Sequence, residues 1–566
     1  MTGFISSLTE PGQSGGLSRR TWIVVMLLAV IAHFPGLFSI PTMDRDEARY
    51  AQASRQMMET GDFVDIRFQE DPRHVKPSGI YWLQVITTQP FGGVDAPIGA
   101  HRLPSFFGSL IAVALTAWLG ARLFSPSVGL VAGIVMGLGL AMQIEARTAK
   151  TDAALLAAGM FAQVALAMLM LKVQEAKPKF WGWPAVLWAG TGAAIAIKGP
   201  IIFMVTALTL LGFVALKRDL KLLLKIRPLP GLLLALAIFL PWLIAINLRT
   251  DWGFFQEAVG HALFGKVGVA DDSHGGPFGY HTMLLPVTLW PASALLGLAG
   301  LAAWARRGEA TVQFLLVWIL PSWLVFELIQ TKLPHYVSPM FPAIAILIGL
   351  GLVNAKALLS GWKQWTLFGV IAALAIVVGA LVGLVPWIGQ IEFGEPVSLA
   401  SKLTAVMGGL AVISLVWLAF KPDLTRLLAV SVASVAVYVV AFGVAIPGVQ
   451  KLWPSYHAAR IAESFTGCES LDVATAGYRE PSNVFNFSTD ILLGRDGAET
   501  AAFLLAHPQC GLAIVDQSEQ TGFQTGLDGA AVRELAVLEG FNAVKGRDLT
   551  LRFYTLENSD LRAPVQ

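Results

Sequence analysis

The chain has 566 residues, of which 55% are hydrophobic and only 14% charged, where soluble domains average about 25% charged residues. Its formal net charge of +2 is spread over separate loops, so no basic surface for nucleic acid is built. Runs near 20 apolar residues recur along most of the length, and a run of that size spans a ~30 Å hydrocarbon core. An ordinary soluble enzyme is excluded, and an integral, polytopic membrane protein is expected.

Met1–Arg20 is polar and ends in Arg19-Arg20. The first apolar run, Thr21–Thr42, has no Asp, Glu, Lys or Arg and no A-x-A cleavage pattern, so it reads as a retained anchor. Thirteen candidate spans follow in order: 21–41, 103–123, 128–145, 152–171, 183–197, 200–216, 229–247, 281–304, 311–329, 337–354, 365–387, 403–420 and 427–446. Lys198-Gly199-Pro200 breaks the fifth from the sixth. Threading 13 spans puts the short basic loops on one side, among them Arg122, Lys217/Arg218/Lys221, Arg306/Arg307 and Lys356/Lys363. The positive-inside rule makes that side, with the N-terminus, cytoplasmic. Many of the 17 Trp residues stand near span ends, as interfacial anchors do. The other side receives the loops 42–102, 146–151, 248–280, 330–336 and 388–402 and everything after Ile446.

The loop after the first span is dense in charge: Met43–Trp82 holds eight acidic residues and six Lys or Arg. A surface helix is expected here. Asp44 stands as its N-cap with Glu47 three residues on, the spacing of a capping box, and Gly61 as its stop. Arg55, Glu59 and Asp62 read as water-facing. Asp46 is not needed for capping, and a carboxylate there can act as a general base. In "RHVKPSGIYW", Lys76 is held extended by Pro77. Beside Arg73 and His74 it can clamp a phosphate, although a lone lysine at this depth is ordinarily a snorkelling anchor.

Three further clusters map to the same side. "EARTAKTDAALL" places Asp152 at the start of a span, either as a helix cap with Thr151 or as a second carboxylate facing the cavity of Asp46. "AIKGPIIF" sets Lys198 before a helix N-terminus, where an anion is favoured. "FFQEAVGHALFGKV" and "QTKLPHYVSPMFP" supply Glu257, His261, Lys266, Lys332, His335 and Tyr336. No H-x-x-x-H or C-x-x-C spacing supports a structural zinc site, while a carboxylate–histidine site for a divalent cation stays open.

From about residue 450 the composition changes. "LDVATAGY", "GLAIVD" and "LTLRFYTL" are strand-like and "GAETAAFLLAHP" is helical, giving a small α/β domain, 450–566, beyond a transmembrane domain, 1–449. Both cysteines, Cys468 and Cys510, lie in it, where pairing and two unpaired core thiols are equally open. No P-loop, G-x-S-x-G or G-x-G-x-x-G pattern occurs. A group donor would therefore arrive already activated and membrane-borne, and cations beside carboxylates at the membrane boundary suit a lipid phosphate.

"DEARYAQASRQMMETGDF" followed by "KPSGIYW" resembles the first outer loop of the lipid A aminoarabinose transferases and the related bacterial protein-mannosyltransferase-like enzymes. "TDAALL", "KGP", "KLPHYVSPMFP", "GYREPSNVF" and "GFNAVKGR" fit the same group in the same order. The resemblance implies a GT-C glycosyltransferase of the bacterial inner membrane, with about 13 transmembrane helices, juxtamembrane helices and a periplasmic C-terminal domain. It implies transfer of a sugar, with inversion, from a polyprenyl phosphate to lipid A, another envelope glycan or a protein on the periplasmic face. It assigns Asp46 and Asp152 as catalytic and Lys76 to the lipid phosphate. Arg49, Tyr81, Lys198, His261, Lys266, Lys332, His335 and Tyr336 complete the expected substrate-binding set. The family's His-x-x-Arg is absent: His261 is followed by Ala-Leu-Phe-Gly-Lys, which leaves Lys266 as the replacement. The residues before Lys76 also differ from the aminoarabinose enzymes, so the sugar is open. A transporter or flippase of a lipid-linked glycan is the competing class, but no internal repeat is found and the ionisable residues gather at one face rather than the midplane.

Overall fold

The computed structural model describes residues 7–12, 16–171, 182–257 and 275–564. Each of the 13 apolar stretches contains a helix among these residues. Eight are long and apolar enough to cross a membrane: Ile98–Leu123, Asp152–Leu171, Pro228–Arg249, Ala310–Leu328, Pro334–Val353, Trp362–Glu392, Leu399–Phe420 and Leu424–Ala445. A ninth is bent, because Tyr280–Thr288 and Ala292–Ala305 meet at 114° around Pro291. The others are shorter: Arg19–His33 has 15 residues, Pro126–Leu138 has 13, and Gly182–Lys198 and Ile201–Lys217 have 17 each. The chain is a multi-pass membrane protein.

Burial sorts these helices into an inner and an outer group. Within Asp152–Leu171 and Pro334–Val353 the apolar windows are 83% and 89% buried; in Pro228–Arg249 only 22% is. The outer helices are as apolar as the inner ones, which water would penalise and lipid does not.

Two surface helices cross the loop after the first span, Asp46–Thr60 and Gly79–Thr88, with a two-residue hairpin between them, β1 (Arg67–Phe68) and β2 (Asp71–Pro72). The first ends where expected, with Gly61 left-handed at φ 69°. It does not start as expected. Its cap is Arg45 at φ 60°, with no side-chain cap bond, and Asp44 is turned away to other partners. Glu47 is also more than a capping residue. Its carboxylate is fully buried against Arg102, with Nε and Nη2 both 2.8 Å away, and accepts from the amides of Met43 and Ala149.

The C-terminal part forms one five-stranded sheet from β3 (Asp472–Ala476), β4 (Leu492–Leu493), β5 (Gly511–Asp516), β6 (Val532–Asn542) and β7 (Arg547–Leu556), in the order β4-β3-β5-β7-β6. The β3 pairings are parallel; β5–β7 and β6–β7 are antiparallel. The three strand-like runs and the helix Gly497–Ala506 fall where the sequence places them. Cys468 and Cys510 form a disulfide, Cα to Cα 5.9 Å.

Candidate active site

The segment that follows β3 docks on the surface helix Asp46–Thr60. Tyr478 Oη donates to Asp44 Oδ2 at 3.0 Å, and Ser482 Oγ donates to Asp44 Oδ1. Gln52 donates to Thr489 Oγ1 at 2.7 Å, and Arg55 donates to the Phe485 carbonyl at 2.7 Å while its guanidinium lies 4.2 Å from the Phe485 ring centroid. Glu59 accepts from Thr489 Oγ1 and Asp62 pairs with Arg249. Arg55 and Glu59 thus face the C-terminal segment and Asp62 a span end, rather than water alone. A two-residue step along the chain, from Asp44 before the helix to Asp46 at its start, changes the surroundings of the carboxylate, and the docked segment takes Asp44. Burial pushes the Asp44 carboxyl up to about 6, even though the Ser482 and Tyr478 hydroxyls favour its ionised form. Asp46 stays exposed.

Asp46 shares its neighbourhood with a half-buried basic and aromatic layer: Arg49, Tyr50, Arg73, Tyr81, Lys150 and Tyr336 all feel its charge. Arg73 stacks over the Tyr50 ring at 5.0 Å and donates to Tyr81 Oη at 3.3 Å. Tyr81 is fully buried, its ring 5.3 Å from that of Tyr50. His74 is 2.9 Å from Asp65, and so belongs to the fold of the loop rather than to a clamp beside Lys76.

Below this layer lies a chain of alternating charges. Lys198 Nζ is 2.5 Å from Asp152 Oδ1, and Lys150 Nζ is 3.2 Å from Glu145 Oε1. His335 sits between the two carboxylates, 3.6 Å from Glu145 and 3.7 Å from Asp152. The Tyr336 ring centroid is 5.8 Å from Lys198 Nζ. Burial opposes the Lys150 charge, but Glu145 and then Asp152 outweigh it and hold its pKa above the ordinary lysine value. Among the described residues no three His, Cys, Asp or Glu side chains converge as a metal site. Lys150 and Lys198 already pair with the two carboxylates that flank His335.

Lys76 and Lys198 border one cavity of about 210 Å³, walled by Trp82, Trp242, Phe254 and Phe255. Two glycines set its shape. Gly79 brings its helix against the Ala196 carbonyl, where a Cβ would lie 2.5 Å from the oxygen. Gly199 turns at φ +88°, which L side chains rarely adopt, and so places Lys198 at the lip while Ile201–Lys217 starts anew.

The structure thus brings together Asp46, Arg49, Tyr81, Asp152, His335, Tyr336, Lys198 and, across the cavity, Lys76. Lys332 is buried and donates to the carbonyls of Gly276 and Ile329 at 2.9 and 2.8 Å. His261 and Lys266 lie outside the described residues. Sequence reasoning gave no role to Lys150 and Glu145, although both stand in "EARTAKTDAALL"; their signal is the alternation of sign around Asp152.

Known proteins resemble this chain in sequence and in fold. Residues 21–250 match the family model described as dolichyl-phosphate-mannose-protein mannosyltransferase. Among curated proteins, the undecaprenyl phosphate-alpha-4-amino-4-deoxy-L-arabinose arabinosyl transferase of Erwinia tasmaniensis is 29% identical over 375 residues, 64% of this chain and 65% of the relative. The protein of the same name from Pectobacterium carotovorum subsp. carotovorum is 24% identical over 426 residues, 70% and 71% of the two chains. The chain thus spans just under two thirds of the Erwinia relative. Among solved structures, ArnT from Cupriavidus metallidurans bound to undecaprenyl phosphate superposes with a TM-score of 0.71 at 18% identity, covering 94% of this chain and 98% of that one. The archaeal oligosaccharyltransferase AglB from Archaeoglobus fulgidus gives 0.51 at 11% identity, covering 93% and 73%. The resemblance to the aminoarabinose transferases and mannosyltransferase-like enzymes holds in sequence and in fold, and the fold is of the GT-C type.

Proposed function

We propose that this chain, which shares the GT-C fold of the aminoarabinose transferases, is a glycosyltransferase. It moves a sugar from a polyprenyl-phosphate donor to lipid A, another envelope glycan or a protein, with inversion. The observation that carries this is the juxtaposition of an exposed Asp46 carboxylate, a half-buried basic layer and an apolar, aromatic cavity bordered by Lys76 and Lys198. The relatives' names favour an undecaprenyl phosphate carrier and a pentose; a hexose is the broader alternative.

In this reading the prenyl tail runs past Trp82, Trp242 and the phenylalanines while Lys76 and Lys198 meet the phosphate. Asp46 takes the proton of the acceptor hydroxyl. The acceptor oxygen then attacks the anomeric carbon as the bond from that carbon to the phosphate oxygen breaks. The phosphate leaves with an added negative charge, which the lysines and Arg49 stabilise. Asp152 holds Lys198 and orients His335. The reaction is placed on the periplasmic face of the inner membrane, with the N-terminus cytoplasmic and the sheet domain, 450–566, periplasmic, in keeping with the basic loops on the other side.

The test is transfer by purified protein in detergent, supplied with an undecaprenyl-phosphate sugar and lipid A. Asp46→Asn is expected to lose about 10²–10⁴-fold in rate, the range of general-base catalysis, and Lys76→Ala to lose donor binding. Wild-type rates in both variants would overturn the proposal. Transfer without a membrane gradient also separates an enzyme from a flippase.

A further inference from the structure

At the opposite end of the helices from Asp46 lies a larger cavity, about 790 Å³, within the size range of ligand pockets. Its wall is apolar, formed by Val131, Leu352, Leu359 and Leu424. Its rim carries Lys356 and Lys421, both exposed, with Trp365 beside them. Among the described residues neither ammonium has a carboxylate partner. Asp423 also lines the cavity, but it is committed elsewhere. It caps helix Leu424–Val440 by accepting from the Arg426 amide and pairs with the Arg426 side chain.

We propose that this cavity binds one anionic glycerophospholipid, with its phosphate between Lys356 and Lys421 and an acyl chain along the leucine wall. Charge complementarity selects an anion. The apolar wall selects a lipid, because a soluble phosphate compound would leave that wall uncovered. Trp365 stands at the boundary where indole rings prefer to lie. This site shares no residue with the candidate active site and does not depend on the glycosyltransferase reading.

The test is native mass spectrometry of the full-length protein in detergent with equal amounts of phosphatidylglycerol and phosphatidylcholine. Phosphatidylglycerol adducts are expected to dominate. Lys356→Gln with Lys421→Gln should weaken them by about thirtyfold, from about 1 kcal/mol per lysine near an anionic headgroup. Val353→Trp, at an exposed position lining the cavity, should displace the lipid with both lysines intact. The control pair Lys217→Gln and Lys221→Gln, in another basic loop, should leave the adducts unchanged. Equal retention of the two lipids, unchanged adducts in the Lys356/Lys421 variant, loss in the control pair, or displacement by equimolar glycerol 3-phosphate would each overturn the proposal.

Discussion

Replacing Glu47 by Gln should destabilise the membrane domain by about 3–5 kcal/mol, the cost of breaking a buried ion pair by removing one partner. Both side chains are essentially inaccessible, 1% and 0% exposed. Gln can still accept from the Ala149 amide with one oxygen, but its amide group would then face an Arg102 N–H, donor against donor. The pair is also more than a neutralised charge. Arg102 donates to the carbonyls of Leu37, Ile40 and Pro41 at 2.9, 2.7 and 3.0 Å, closing the chain after helix Arg19–His33. For that reason the double variant Glu47→Gln with Arg102→Met should not recover stability, although many buried pairs can be exchanged for apolar residues at little cost. The assay is unfolding in mixed micelles with increasing SDS, followed by tryptophan fluorescence, with refolding checked on dilution. Glu47→Gln within about 1 kcal/mol of wild type, below the range for a broken buried pair, would refute the argument. Full rescue in the double variant would show that Arg102 acts only as a counter-charge.

Asp44→Asn tests the docking of the C-terminal segment by pH. The folded pKa of Asp44, about 6, lies above the ordinary 3.8, so the folded state holds this proton more tightly than the unfolded one. The sign follows: the docked state loses stability as pH rises from about 4 to about 6 and stays at the lower value above that. The Asn variant should be flat over that window and more stable than wild type at pH 7.5 by thermal unfolding; an unchanged slope would count against it. Asp152→Asn should leave the Lys198 ammonium without its carboxylate and loosen the donor site. Transfer is expected to fall about a hundredfold, the size of effect seen when a positioning contact is lost, with the loss in KM and kcat together; a wild-type KM would contradict the role. Cys468→Ser opens a disulfide whose cysteines are 42 residues apart. It should destabilise the sheet domain by about 4 kcal/mol on the loop-entropy scale, read as earlier proteolysis of residues 450–566, and undiminished protease resistance would argue against it.

The helices were legible because lipid makes their composition extreme. Even the short Gly182–Lys198 stands out as an apolar run, and only its angle and burial are hidden. The strands β3, β5 and β7 were legible as alternating or buried apolar runs, whereas β6, with Glu534 and Glu539 among its exposed positions, was not singled out. Asp46 and Lys76 stand out in the sequence through motif and position, and the structure leaves the first exposed and sets the second at a cavity; their roles belong to the proposal. Asp44 was not: its donors Tyr478 and Ser482 are 434 and 438 residues away, so the local capping spacing was the stronger signal and the distant contact won. Glu47 was misread for the same reason, since Arg102 lies 55 residues on. Lys150 escaped because the alternation of sign around Asp152 is a weak signal, which a lysine anchored in headgroups would share.

These distant contacts converge on one short helix. Asp46 is followed by Glu47, which is tied to Arg102 and Ala149, and preceded by Asp44, which is tied to the segment after β3. The carboxylate offered as base is therefore set between two residues that are themselves fixed, one by the membrane domain and one by the sheet domain. An Å-scale shift of a reacting group can cost about a hundredfold in rate, so under the proposed reaction the sheet domain would affect the rate without lending an atom to the chemistry. Loss of the Asp44 contacts should lower the rate while leaving the Lys76–Lys198 cavity, built from other helices, able to bind the donor. A variant such as Ser482→Ala should accordingly reduce kcat with donor affinity kept. Equal loss of both would mean that the sheet domain supports the whole membrane face rather than the position of Asp46.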